Sequence, residues 1–232
     1  MEVIGMKLKY LGHSAFYFEA DGIKALIDPF LNGNPMSAAK AADFADVNYI
    51  FVTHGHGDHV GDAVEIARKC DATVICPTEL APFLARQGVE TEGMQIGASF
   101  NFPFGKVKLT PALHGSTYTV NGKAEYAGLA CGFLICAGDR KIYHAGDTAL
   151  TMDMLLLAEE NLDAALLPIG GYYTMDAEDA ARAAKFADAK IAVPMHYDTF
   201  PAIKTDPEKF ARLCAENDVS AKVMKIGEEI IL

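Results

Sequence analysis

Residues 48–61 read Asn48-Tyr49-Ile50-Phe51-Val52-Thr53-His54-Gly55-His56-Gly57-Asp58-His59-Val60-Gly61. The first six are β-prone and apolar enough for a buried strand, which stops abruptly where glycine and histidine take over. Three imidazoles and a carboxylate then fall within six residues, at positions 54, 56, 58 and 59. Imidazole nitrogen and carboxylate oxygen are the donors that zinc and its first-row neighbours prefer. Gly55, Gly57 and Gly61 permit turns that a Cβ would resist, so alternate side chains can converge. The helical pattern over 61–70 puts a helix N-terminus near the anionic part of such a site. The competing account is an accidental polar loop, and it fits poorly with a cluster that ends a buried strand rather than a chain terminus.

Four donors on one short loop cannot all close around a single ion without strain, so further ligands must come from elsewhere. His114 follows the strand-like stretch 106–113, Asp147 follows 141–146 and His196 follows 190–195. Each is expected just past the C-terminal end of a strand, where open α/β sheets place their ligand crevices. Seven ligands imply two divalent metal ions. His54, His56 and His114 would hold one, Asp58, His59 and His196 the other, with Asp147 bridging. Zinc is the first expectation for both, and manganese, iron or nickel tolerate the same donors. Two such cations roughly 3.5–4 Å apart share a hydroxide and clamp both the attacking and the leaving oxygen. Asp28 ends a strand and can accept the proton of a ligand histidine's second nitrogen, which fixes its tautomer; a plain turn aspartate before Pro29 is the alternative. His144 is assigned a buried structural role or a place behind the ligands. Tyr172, Tyr173 and Tyr197 either line the pocket or simply pack. Ser14, Ser116 and Thr148 lack the strand–turn–helix context of a serine nucleophile.

Outward from this centre, short strands are expected over 7–11, 15–19 and 24–27, with Asp21-Gly22 as a hairpin turn. A strand over 72–76 is followed by a helix from Pro77 to about Gln87. The middle offers strands over 98–102, 106–110, 127–137 and 141–144. The last third alternates helix (153–161, 177–186, 207–216) with strand (164–168, 190–194, 222–226) and closes on the apolar Ile230-Ile231-Leu232. Hairpins at the front of each half, followed by βα alternation, suggest two similar halves. The fold class is therefore α/β, a four-layer α/β/β/α sandwich of two mixed sheets with helices outside. No linker or low-complexity tract interrupts it, so residues 1–232 are expected to form one domain.

Composition bounds the function. Hydrophobic residues make up 51% of the 232, and 20 basic against 31 acidic residues leave a net charge of −11. No basic stripe interrupts that balance, so long nucleic acid is not an expected partner, and a small-molecule substrate is. Cys70, Cys76, Cys131, Cys136 and Cys214 are scattered without a Cys-x-x-Cys pair. A disulfide framework and a thiolate zinc site are both disfavoured, and a reducing, cytoplasmic location is expected. Residues 1–7 show no export signal, and the apolar stretch 127–137 is well short of the roughly 20 residues that span a bilayer. No membrane partner is expected, and a homo-oligomer is compatible with this size.

The pattern His54-x-His56-x-Asp58-His59, with His114, Asp147 and His196 downstream, resembles the signature of the metallo-β-lactamase superfamily. Leu11-Gly12-His13-Ser14, Ile27-Asp28-Pro29-Phe30 and Tyr143-His144-Ala145-Gly146-Asp147-Thr148 are similar to the UPF0173 metal-dependent hydrolases, a branch close to ascorbate-phosphate lactonase-like proteins. The resemblance runs over essentially the whole chain. It implies the same four-layer fold and a dinuclear metal-dependent hydrolase, in which a metal-bridging hydroxide attacks a small ester, lactone or phosphodiester. It also places His13 near the metals, to bind a substrate anion or protonate a leaving group, so Asp58 and His13 are the catalytic candidates. The alternative is a non-hydrolytic redox or sensor protein on the same ligands. Di-iron redox members of the superfamily carry Glu where this chain has His56, which argues against that alternative.

Overall fold

The computed structural model describes residues 5–37 and 39–232. The reading of the first four residues as part of a leaderless start lies outside them. Two mixed sheets carry the structure, and each begins antiparallel and ends parallel. The first runs β13-β1-β2-β3-β4-β5-β6, from β1 (Lys7–Gly12), β2 (Ala15–Ala20), β3 (Ile23–Ile27), β4 (Tyr49–Phe51), β5 (Thr73–Pro77), β6 (Thr91–Met94) and β13 (Glu229–Ile231). The second runs β12-β11-β10-β9-β8-β7, from β7 (Ser99–Phe102), β8 (Gly105–Val120), β9 (Lys123–Ala137), β10 (Arg140–His144), β11 (Ala164–Pro168) and β12 (Ile191–Met195).

The continuous apolar run Ile50-Phe51-Val52 makes sense once both faces of the first sheet are covered. Phe51 points between the sheets, where its ring meets Phe133 of β9 edge-on at 5.3 Å. Ile50 and Val52 face the other way, onto Ala63, Ile66 and Ala67 of helix α2 (Ala63–Cys70). On the second sheet, helix α4 (Ala177–Ala187) buries Ala177, Ala180, Ala181, Ala183, Ala184 and Ala187. Small side chains there allow the helix to approach β11 and helix α5 (Pro207–Glu216) closely. Asp176 and Asp206 cap these two helices, accepting from the Asp179 and Glu208 amides.

The four-layer α/β sandwich of two mixed sheets is as the sequence predicts, with local differences. Pro77 closes β5 rather than opening a helix, and the short helix α3 (Ala81–Ala85) begins four residues later with Pro82 in its first turn. The helix expected over 61–70 is broken. A single turn α1 (Gly57–Val60) is separated from α2 by Gly61, whose φ of 44° and ψ of −120° no L-residue side chain favours. Residues Met152–Glu160 form 3-10 turns rather than an α-helix. The expected strand over 222–226 is absent; an isolated bridge joins Ala221 to Ala192, and the chain pairs again only at β13. Strands β8 and β9 are much longer than expected. Their turn, Asn121-Gly122, has both residues at positive φ, the conformation an Asn-Gly hairpin favours.

Candidate metal centre

Every candidate ligand arrives on a loop or distortion at one end of the sheets. His54 and His56 leave β4 directly, and α1 presents Asp58 and His59 one turn later. Asp147 follows β10 and His196 follows β12, as expected. His114 differs. It lies inside β8 rather than past its end, at a bulge where pairing with β9 slips between Pro111 and Gly115. The bulge re-aims this one side chain toward the centre while the strand continues beyond it.

The side chains converge in two groups. His54 Nε2 and His114 Nε2 lie 3.0 and 3.3 Å from His56 Nδ1. Asp147 Oδ1 lies 3.2 Å from His59 Nε2, and its Oδ2 lies 3.1 Å from His196 Nε2 and 3.6 Å from His114 Nε2. The Asp147 carboxylate thus stands between the groups. Two donors that share an ion at about 2.1 Å stand about 3.0 Å apart at a right angle and about 3.4 Å apart at a tetrahedral angle. The closest of these separations fall in that window. Moreover, His59 Nε2, Asp147 Oδ1 and both ring nitrogens of His196 are buried without a hydrogen-bond partner. Buried polar atoms are normally satisfied, so this concentration of orphans is what a cation would complete. The residues therefore fit bound metal.

Electrostatics favour the same reading. Burial pushes the His54, His56 and His114 imidazoles below their ordinary pKa, which leaves lone pairs free at neutral pH. Burial opposes the Asp147 charge, but His59 and His196 outweigh it and hold the carboxyl well below its usual range. At His59, burial acts downward and the Asp147 and Asp28 carboxylates override it, raising its pKa well above the ordinary value.

Asp28 lies fully buried behind the cluster. Its Oδ1 accepts from the Thr53 amide (2.8 Å), and its Oδ2 accepts from the Thr53 hydroxyl and from His59 Nδ1 (2.7 Å each). With its proton given to Asp28, Thr53 Oγ1 accepts from His54 Nδ1 at 3.0 Å. One carboxylate thereby turns Nε2 of both His54 and His59 toward the centre. Nothing in the sequence pattern singles out Thr53 for this task. His144 donates from Nε2 to the Ser14 carbonyl (2.9 Å) and accepts the Gly146 amide at Nδ1 (3.1 Å). It touches no candidate ligand side chain and instead ties the loop carrying His13 to the loop carrying Asp147. His13 is buried among the ligands, with Nε2 3.2 Å from Asp58 Oδ2 and Nδ1 2.9 Å from Thr199 Oγ1. Burial pushes its pKa down to about 4.

The centre opens into a cavity of about 700 Å³, walled by Phe30, Tyr173, Phe200, Pro201 and Ala202 opposite His56, Asp58 and His114. Of the three tyrosines considered, Tyr173 alone lines it, while Tyr172 packs on Tyr173 at the surface and is three-quarters exposed. Nothing in the sequence pattern marks Phe30 and Phe200 for this wall. They flank His13, with ring centroids 5.8 and 5.6 Å away. No helix among the described residues is long and apolar enough to cross a membrane.

Residues 24–197 match the β-lactamase superfamily domain. A UPF0173 metal-dependent hydrolase of Bacillus cereus strain B4264 is 51% identical over 230 residues, covering 98% of this chain and all of the relative. Among solved structures, the metallo hydrolase Igni18 of the archaeon Ignicoccus hospitalis is 36% identical, covers 98% of both chains and superposes with a TM-score of 0.89. An isothiocyanate hydrolase from Delia radicum gut bacteria, 20% identical with a TM-score of 0.76 over 97% of this chain and 98% of its own, shares the fold. The converging His and Asp donors, the two-sheet architecture and these full-length matches agree, and the chain belongs to the UPF0173 metal-dependent hydrolases of the β-lactamase superfamily.

Proposed function

We propose that this hydrolase works with two divalent cations, zinc first among them, on a small ester or lactone whose acyl side is apolar. The observation that carries the reading is the convergence of two donor groups, His54, His56 and His114 on one side and Asp58, His59 and His196 on the other, around Asp147. Divalent cations held by these residues would supply Lewis acidity and lower the pKa of a bound water. The chain's own residues do the rest. Asp28 and Thr53 hold His59 and His54 in the tautomers that leave Nε2 free. Phe30, Phe200 and Pro201 seat the apolar part of the substrate and keep bulk water from the reacting carbonyl. Among the described residues the cavity wall carries no lysine or arginine. Phosphate recognition normally uses such cations, so a carboxyl ester or lactone is favoured over a phosphodiester. The five cysteines are free thiols, in keeping with a reducing, cytoplasmic setting.

The test is metal content by mass spectrometry on the reconstituted protein, with a panel of lactones, thioesters and phosphodiesters as substrates. His56→Ala and Asp147→Ala are expected to lose metal and turnover together. Full metal content with full hydrolysis in both variants would defeat the assignment.

A further inference from the structure

We propose that His13 is itself a metal ligand, a fifth protein donor beside Asp58, His59, His196 and Asp147, rather than a proton donor to the substrate. The inference rests on the two-cation reading above. His13, Asp58, His59 and His196 each place one donor atom within 4.8 Å of all the others. The separation of His13 Nε2 from Asp58 Oδ2 is 3.2 Å, whereas His59 Nδ1 and Asp28 Oδ2 approach to 2.7 Å. A charge-assisted N–H···O⁻ bond settles at about 2.7–2.9 Å, and the Asp28 contact is of that kind. The His13 contact instead matches the spacing between the other converging donors, His54 with His56 at 3.0 Å and His59 with Asp147 at 3.2 Å.

The far side of the ring agrees. Thr199 is buried, its hydroxyl lies 3.3 Å from the Tyr197 carbonyl, and it has one proton to give. Given to Tyr197, that proton leaves Thr199 Oγ1 to accept from His13 Nδ1 at 2.9 Å. In the neutral imidazole His13 Nε2 then carries a lone pair that faces a carboxylate oxygen, an arrangement that a cation between them makes favourable. Thr199 serves His13 as Thr53 serves His54, a hydroxyl on Nδ1 that turns Nε2 inward.

The backbone is built to hold it. His13 and His196 both adopt left-handed φ, 57° and 55°, which costs a non-glycine residue conformational energy. The His196 amide donates to the His13 carbonyl at 2.8 Å, and the Tyr10 hydroxyl reaches the same oxygen at 3.2 Å. The two rings lie 4.1 Å apart, both directed at Asp58. Five protein donors exceed the four of tetrahedral zinc, so this half of the centre would hold zinc in an expanded shell or another cation of higher coordination number, while the His54, His56 and His114 half retains a tetrahedral zinc donor set.

The test is stepwise titration of the metal-free full chain with Co(II) and Mn(II), read by visible absorption, by electron paramagnetic resonance and by competition with a chromophoric chelator. Wild type is expected to bind two equivalents. In His13→Ala one of the two equivalents should lose about 100-fold in affinity while the other changes by less than about threefold, and the Co(II) absorption should intensify as its coordination number falls. Thr199→Val, which keeps His13 but frees its Nδ1, should lose about tenfold and carries the test if His13→Ala does not fold. Two equivalents bound with unchanged affinity and spectra in a folded His13→Ala, or in Thr199→Val should His13→Ala not fold, would overturn the ligand role and leave the two-cation reading standing. Fewer than two equivalents in wild type would overturn both.

Discussion

Asp28→Asn changes one oxygen for one nitrogen and is expected to weaken metal binding at both halves of the centre. In the native arrangement Asp28 accepts three hydrogen bonds, one from the Thr53 amide at Oδ1 and two at Oδ2. An asparagine that keeps its carbonyl on the Thr53 amide presents an NH₂ to the Thr53 hydroxyl and to His59. Thr53 then accepts from the amide and gives its proton to His54 Nδ1, and His59 loses its acceptor at Nδ1. Both imidazoles are driven toward the tautomer with a proton on Nε2, where a cation would bind. Flipping the amide restores both tautomers but sets its NH₂ against the buried Thr53 N–H. A buried donor left unsatisfied in this way costs about 1–3 kcal/mol. That cost appears only when metal binds, and it corresponds to about 5- to 150-fold in affinity. The lost charge also lowers the proton affinity of His59, which helps the metal compete and puts the expected loss nearer tenfold. Chelator competition on wild type and Asp28→Asn measures the loss. Nitrogen NMR of the metal-free protein should show the His54 tautomer exchanged in the variant. Unchanged or tighter metal binding, with the His54 tautomer as in wild type, would refute the hydrogen-bond argument.

Gly61→Ala should destabilise the fold by about 2–5 kcal/mol in urea titration, since its Cβ would stand 2.5 Å from the Pro29 carbonyl oxygen and 2.6 Å from Phe30 Cα at a backbone conformation of positive φ. Removing the metals with a chelator should lower the melting temperature by about 5–11 °C for each bound ion, from about 2.7 kcal/mol of linkage per ion at a hundredfold excess over Kd and about 2–4 °C per kcal/mol at this size. Asp163 is buried at the start of β11, where burial raises its pKa but the Lys190 ammonium at 2.8 Å and the Lys141 amide together hold it below the ordinary value. Its folded pKa therefore lies below the unfolded value of about 3.9, so its contribution is complete above that value and is lost as pH falls through the folded pKa. Asp163→Asn should cost ~1–2 kcal/mol at pH 7 and flatten the acid limb of a stability-versus-pH curve, and an unchanged acid limb would show that this carboxylate is not part of it.

Most strand positions, helices α4 and α5 and the strand-end positions of six of the seven proposed ligands sit where local patterns place them, because each depends on an apolar run, a capping aspartate or a strand end that neighbours in sequence define. His114 is the exception. Its direction comes from a register slip against β9, a partner that the sequence around position 114 does not name. Pro77 misled for a related reason: proline suits both a helix start and a strand end, and tertiary pairing with β6 decided between them.

By itself the sequence determined the donor inventory. His54-Gly55-His56-Gly57-Asp58-His59 after a buried strand is local chemistry, legible without any contact map. What only the tertiary structure decided is how those donors are held. Asp28 behind Thr53 and His59, Thr199 behind His13 and the Phe30–Phe200 wall each depend on residues brought together from distant parts of the chain, separated by 25 to 186 positions. A hydroxyl or phenyl group carries no sequence signature of such a task, because its role is set by the atom it faces after folding rather than by its neighbours along the chain.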